Sequence, residues 1–562
     1  MHKITRIHLL AAAYILMLLD GGGFKAHTVC FVLLAGLLVI ISTVCRKGIL
    51  FTGDRGSRLG TVLMLIGGVI SVFAGIDRGE SIFGVLRLVT IMVMGFAGQQ
   101  MEEEEKVYFL RIVPIAGLFS LAGCFLHQVP FFRDWVSATG RVNGLFGYAN
   151  TMALFLILGI VIEEHYGRRE RRAMQLILAL GLLATGSRTA FVIFCGYLVW
   201  CFIKGREKNR YFLFAFLGMA GVIGLIGLAC GNTSDMGRFL KIGLNASTLQ
   251  GRFLYWEDAA RMLAKRSAGL GYMGYFYFQQ AHQTGVYSVR FVHNEWLQWL
   301  LDYGILAGAG LIIYLYSRCR RSAMPQMDKE ILIIVAIYSF FDFHLQFFAM
   351  VVIILMLLPK GRTEICFGEN VKRKKGWECG LWAAVIVSVC LCVSTAVADY
   401  CAGHGDYEQA VRWNPLSAQY KQEYLLQSKD LKTAAAYADR LLAGNKYLYT
   451  AYLMKSNAAA EEGRLDDFVV NRRKVLALRQ YKLEEYEDYL EILFSWYQKA
   501  YEERNWREMA LCRMAIKDVP DMITQVRRKT GLRAYRIKEK PNLSLEQKYT
   551  DMITEIEESA NE

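Results

Sequence analysis

Proline is scarce in this chain, at 7 of 562 residues, and charge is low, at 21% against 54% hydrophobic. That balance excludes a disordered chain, which needs little hydrophobicity and much charge. The 13 cysteines follow no metal or disulfide spacing. Most lie inside apolar runs (Cys30, Cys124, Cys195, Cys230, Cys390, Cys392), where cysteine behaves as a small hydrophobe, so a secreted disulfide scaffold is excluded as well. No cleavable signal peptide is evident, because the first apolar run is followed by more runs and not by a soluble domain. A Gly-rich phosphate loop with Lys-Ser/Thr is missing, so no ATP-driven step is indicated. The loops also lack an Asp-x-Asp or Glu-x-Asp pair to hold a divalent metal on a phosphate.

What the chain does have is long apolar runs, nearly all before residue 400. A spanning helix needs roughly 20 mostly apolar residues. Candidate runs lie near 7–22, 28–45, 59–76, 82–99, 108–126, 147–163, 174–187, 188–204, 211–230, 295–317 and 380–399. The stretch 330–358 is too long for one simple span, and its middle, Asp342-Phe343-His344-Leu345-Gln346, suits a tight turn. The formal charge of +14 is set by short Lys/Arg clusters between runs, at 46–59, 164–173, 204–210, 318–329 and 359–375. Placing all of them in the cytoplasm makes 330–358 a hairpin and gives about 12–13 spans. The charge is thus a topology signal, and no nucleic-acid partner is expected.

The expected fold is therefore all-α: a polytopic membrane helix bundle over 1–399, followed by a soluble helical-repeat domain over 400–562. The N-terminus is expected in the cytoplasm. The loops 127–146, 185–188 and 231–294 and the C-terminal domain are expected outside the cytoplasmic membrane. The 231–294 loop is the only long one among the spans and is a functional candidate. In the tail, break points recur at Gly405-Asp406-Tyr407, Lys429-Asp430-Leu431, Gly463-Arg464-Leu465 and Arg504-Asn505-Trp506. Their spacings of 24, 34 and 41 residues match the tetratricopeptide period once. Degenerate tetratricopeptide-like repeats and an unrelated helical bundle both fit.

Ionisable groups near the membrane are costly, so Arg87, Arg111, Asp342 and His344 are candidates by default. Snorkelling or a structural ion pair is the competing explanation, and it is favoured for Arg87 and Arg111. The external side gathers a more informative set. Arg141 precedes Gly147-Tyr148-Ala149-Asn150, and Arg188 follows Gly186-Ser187 at the mouth of a span. Arg252 opens an amphipathic stretch containing Trp256, expected along the membrane surface, which Gly269-Leu270-Gly271 then breaks. His293-Asn294 opens the next span. Arginine binds phosphate through a planar fork that keeps its charge, and histidine takes a proton from a hydroxyl near neutral pH. Such a set suits attack by a sugar hydroxyl on a lipid diphosphate sugar. Helix-end anchoring by Arg188 and capping by His293 fit the spacing equally well.

The run Gly251-Arg252, Trp256, Gly269-Leu270-Gly271, His293-Asn294 and Asp302-Tyr303-Gly304-Ile305 resembles the signature of the O-antigen ligase and polymerase family of membrane glycosyltransferases. Arg141–Asn150 and Thr185-Gly186-Ser187-Arg188 resemble two further blocks, so the similarity covers roughly 60–358. Family members more often carry Glu where Asp302 stands and Pro where Ala149 stands. The resemblance implies metal-independent transfer, without a cofactor, from an undecaprenyl-diphosphate-linked oligo- or polysaccharide to an acceptor hydroxyl. Arg188 and Arg252 would hold the diphosphate, and His293 would orient or deprotonate the acceptor. Arg141, Asn150, Trp256 and Asn294 would contact substrate. The acceptor would be a glycan, peptidoglycan, lipid or protein, with membrane lipids around the bundle and a protein partner for the tail as a further option. Two alternatives stand beside this: a secondary transporter or flippase for lipid-linked sugars, and a membrane scaffold acting through its helical tail.

Overall fold

The computed structural model describes residues 5–166, 172–205, 247–320, 324–360, 363–366 and 371–558. The expected span 211–230, the start of the long loop, and Arg168, Arg169, Arg171, Arg206, Lys208, Arg210 and Arg321 lie outside the described residues.

The described chain is almost entirely helical. The first part runs α1 (Thr5–Leu19), α2 (Ala26–Lys47), β1 (Ile49–Thr52), α3 (Arg55–Ala74), α4 (Arg78–Gln99), α5 (Glu103–Leu110), α6 (Ile112–Phe125), α7 (Ala149–Tyr166), α8 (Arg172–Ala184) and α9 (Arg188–Ile203). The long loop contributes α10 (Ser247–Lys265) and α11 (Gly274–His282). Then come α12 (Glu295–Arg320), α13 (Gln326–Tyr338), α14 (Phe348–Leu357), β2 (Thr363–Cys366) and α15 (Val371–Gly403). The chain ends in α16 (Tyr407–Trp413), α17 (Ala418–Gln427), α18 (Leu431–Gly444), α19 (Tyr449–Glu461), α20 (Leu465–Leu478), α21 (Leu483–Glu502), α22 (Trp506–Lys529) and α23 (Gln547–Glu558).

Among the described residues, 6 helices are long and apolar enough to cross a membrane: α2, α3, α4, α5–α6 together, α12 and most of α15. Shorter apolar helices at Arg6–Leu19, Arg172–Ala184, Arg188–Ile203 and Phe348–Leu357 lie beside them. This is a multi-pass membrane protein. Its helices show why the glycine-rich run after Gly60 is there. A Cβ on Gly60 would sit 2.6 Å from the Gly310 carbonyl, and one on Gly67 2.7 Å from the Ala307 Cβ. The glycines let α3 and α12 touch backbone to backbone, which is how spans associate where lipid offers no hydrophobic drive.

The two ends of the bundle differ in character. At one end β1 pairs antiparallel with β2, Lys47 bonds Glu102 at 2.7 Å, and Ser317 bonds Asp54 at 2.5 Å. Arg46, Lys47, Arg55, Arg58, Arg318 and Arg320 all lie at this end. At the other end the α1–α2, α3–α4, α8–α9 and α13–α14 turns meet the loop helices and the tail. His27 bridges Asp20 at 2.6 Å and Asp399 at 2.5 Å, and Asp399 also accepts from Tyr420 of α17. Glu80 accepts from the Ala418 amide at 2.9 Å, and Asn445 donates to Asp77 at 3.1 Å. One buried apolar cluster mixes Ile76, Ala259, Met262 and Leu270 with Ala434, Ala438 and Leu441 of the tail. The tail is a run of helices, and the break points read from sequence fall at the starts of α16, α18, α20 and α22.

Candidate functional site

The loop helix α10 is fixed by the motif that follows it. Gly269 and Gly271 take left-handed backbone (φ 92° and 76°), which suits glycine. They lead the chain into a break in α12, where Gly304 is itself at φ 80°. There Leu270 N–H donates to the Leu301 carbonyl at 2.6 Å and Ile305 N–H to Ser267 at 3.0 Å. A Cβ on Gly304 would lie 2.6 Å from the Ala268 backbone. The Gly-x-Gly turn and the glycine of α12 are thus two halves of one joint.

His293 stands just before α12 in left-handed backbone, φ 54°, an uncommon state for a side-chain-bearing residue. Local bonds hold it there. Val292 N–H donates to the Gln298 side chain at 2.9 Å, and Leu297 N–H donates to Asn294 Oδ1 at 3.0 Å. Asn294 therefore acts as a helix cap through its oxygen. Glu295 then accepts from Leu345 N–H at 2.6 Å and from Gln346 at 3.1 Å. That clamps the start of α12 to the α13–α14 turn.

The turn carries Asp342, which is 1% exposed. Four side chains converge on it. His293 Nδ1 lies 3.3 Å from Oδ1 and Arg252 Nη2 3.5 Å from Oδ2. Asn150 donates to Oδ2 at 2.6 Å and the Tyr148 hydroxyl to Oδ1 at 3.0 Å. Burial alone would raise the Asp342 pKa, but the hydrogen bond from His293, the Arg252 guanidinium and the Phe343 amide hold it well below the usual carboxylate range. Asp342 is therefore an anion at neutral pH. The nearby His344 is fully buried, and burial lowers it to about 4. It faces Ser339 and stays neutral.

Arg252 also donates to Thr189 Oγ1 at 3.2 Å, which draws in the N-terminus of α9. Ser187 caps that helix, and Arg188 is its first residue, half-buried beside Thr189. Free amides at a helix N-terminus favour an anion. Arg141 donates through Nε to the Thr185 carbonyl at 2.8 Å and through Nη2 to Asn150 Oδ1 at 3.0 Å. Trp256 packs on Phe341 with ring centroids 6.1 Å apart, and its buried indole N–H has no partner among the described residues. The structure thus links His293, Arg252 and Asn150 through Asp342, and Arg141 through Asn150, with Trp256 packed on the neighbouring Phe341 and Arg188 next in sequence to Thr189. Asn294 faces its own helix instead.

Asp342 was a candidate from the sequence, but apart from the external set that the structure gathers around it. The one signal for it was a lone carboxylate in a polar break between apolar runs. Arg87, by contrast, is buried under Tyr272 and Phe348 and bonds Gln346, consistent with a structural role.

With Nδ1–H donating to Asp342, the His293 lone pair lies on Nε2, which has no partner among the described residues. The arrangement is a carboxylate-oriented base beside a guanidinium and a helix N-terminus. Behind it, a cavity of about 880 Å³ extends from Glu295, Leu345 and Gln346 down between α3, α4, α12 and α14 to Thr52 and Arg58 at the basic end. Its walls are mostly apolar, with Leu88, Met92, Leu311 and Ile354 among them. Among the described residues, no group of three His, Cys, Asp or Glu side chains could hold a metal ion.

Residues 173–312, in the middle of the chain, match the family model described as O-antigen ligase. The family is one of membrane glycosyltransferases. The matched residues include Arg188, Arg252 and His293, whereas Arg141, Asn150 and Asp342 lie outside them. No curated protein and no solved structure matches the chain.

Proposed function

We propose that the protein transfers a glycan from an undecaprenyl-diphosphate carrier to an acceptor hydroxyl outside the cytoplasmic membrane. The observation that carries this reading is the shared carboxylate: Asp342 holds a candidate base and a candidate phosphate ligand from two distant segments in one site. In the proposed step, His293 Nε2 takes the proton of the acceptor hydroxyl. The acceptor oxygen bonds to the anomeric carbon as the bond from that carbon to the diphosphate oxygen breaks. The electron pair leaves on the carrier diphosphate, where Arg252, Arg188 and the α9 N-terminus balance the charge. Asp342 fixes the imidazole tautomer and faces the imidazolium that forms. Arg141 and Asn150 shape the donor pocket, and Trp256 closes its edge. The apolar cavity is the natural housing for the polyprenyl chain, since it begins beside the site and runs the length of the bundle.

Orientation follows from charge. The basic end of the bundle is read as cytoplasmic, by the bias of Lys and Arg toward that side. The site and residues 400–562 then face outward, and the N-terminus inward. The four helix pairs of the tail are read as degenerate tetratricopeptide-like units, with 1–399 as the membrane domain.

The test is Arg252→Lys, assayed as transfer from lipid-linked glycan by the purified protein. A lysine keeps the charge but loses the fork, and a charge-assisted hydrogen bond is worth roughly 1.5–3 kcal/mol. Activity is expected to fall about tenfold to a hundredfold. Unchanged transfer would remove Arg252 from the site. Which product a strain lacking activity accumulates separates ligase from polymerase: long polymer left on its carrier marks a ligase, single repeat units a polymerase.

A further inference from the structure

Two opposite faces of α10 are both occupied. Arg252, Tyr255, Trp256 and Ala259 form one stripe at helical spacing. It meets Thr189 and Asp342 through Arg252, the His293 ring (6.2 Å from Tyr255) and Phe341. Gln250, Phe253, Leu254 and Glu257 form the opposite stripe, and it meets the C-terminal region at a 3₁₀ turn, Leu532–Arg536. There Arg533 Nε donates to Glu257 at 2.5 Å and Nη1 to Gln250 at 3.1 Å, while the guanidinium lies 5.4 Å from the Phe253 ring centre.

Apolar contacts and a second set of bonds fasten the same segment. Leu254, Tyr287, Ala534 and Ile537 make one buried cluster. Gly285 leaves no room, since a Cβ there would lie 2.8 Å from both Ala534 and Leu254. Gly531 N–H donates to the Thr284 carbonyl at 2.9 Å, and Asp258 of α10 accepts from Thr284 and Tyr287 at 2.8 Å.

We propose that residues 531–537 set the rotation of α10, with Arg533 as a positioning residue that aims Arg252 at the donor diphosphate. This rests on the reading of Arg252 as a diphosphate ligand. It gives the tail a part in donor binding, distinct from any selection of acceptor. A helix held from behind by a bidentate guanidinium cannot turn about its axis without breaking those bonds. A turn of α10 would carry Arg252 away from Asp342 and Thr189 together. Small misplacements of binding groups are costly to catalysis.

The experiment measures binding of unglycosylated undecaprenyl diphosphate to the full-length protein in detergent, with thermal unfolding followed in parallel. Arg533→Glu is expected to weaken binding about tenfold. Glu257→Arg should do the same, and the exchange Arg533→Glu with Glu257→Arg should recover most of the affinity. Arg533→Gln, which removes the charge and keeps a donor, is the second variant should the reversal fail to fold, and an intermediate loss is expected. Arg252→Ala is the reference. Weak binding by Arg252→Ala with normal binding by folded Arg533→Glu or Arg533→Gln would overturn the positioning role alone. Loss in both reversals without recovery in the exchange would also overturn it. Normal binding by Arg252→Ala would instead overturn the site assignment beneath it.

Discussion

His293→Ala is expected to reduce glycan transfer by about 10²–10⁴-fold, the usual contribution of a positioned general base. Undecaprenyl diphosphate binding should hardly change, because the proposed donor contacts are the arginines and the α9 N-terminus. The left-handed backbone at His293 (φ 54°) does not favour alanine, so unfolding must be measured beside activity. His293→Asn tolerates that backbone better and is the cleaner removal of the base. Transfer near the normal level by either folded variant would leave His293 as a structural residue.

Asp342→Asn is expected to lose about 10²–10³-fold in transfer, for two separable reasons. The amide cannot accept as a carboxylate does, so the imidazole loses its orienting anion and Nδ1 loses its fixed proton. It also brings an NH₂ against donors from Asn150, Tyr148 and Arg252 that now share two carboxylate oxygens. A buried donor left without an acceptor costs roughly 1–3 kcal/mol, so thermal stability should fall as well. A stability loss of that size with full activity would make Asp342 an architectural residue only. His344, though adjacent in space to the same turn, is neutral and faces Ser339, and its removal should not mimic the Asp342 effect.

The helices were legible because their signals are local. Six of the apolar runs became helices of spanning length, while those near 7–22, 174–187 and 188–204 became shorter ones. The polar break at 342–346 became the α13–α14 turn. Asp406, Asp430 and Asn505, read as break points in the tail, accept from amides in the first turns of α16, α18 and α22, which is local capping chemistry. Type and position picked out Arg252 and His293 as candidates, and the structure brings both to Asp342. Asp342 was a candidate as a carboxylate near the membrane, but its tie to the external arginines and histidine was not legible, because that tie lies in four partners up to 194 residues away. An isolated acid between apolar runs carries no mark of them. Asn294 shows the opposite limit: its place beside His293 suggested a ligand, and its oxygen instead caps α12. Amphipathic spacing in α10 suggested a helix lying on a membrane. Such a pattern identifies two faces but not their occupants, and the tail covers one while the site takes the other.

The most direct test of the central claim is a double-mutant cycle on transfer with the purified protein, using His293→Asn, Asp342→Asn and the pair. If Asp342 acts by orienting His293, the pair should be little worse than His293→Asn alone, because one device cannot be removed twice. Losses that multiply would mean that the two residues work independently, and would contradict the shared carboxylate as the organising group of the site.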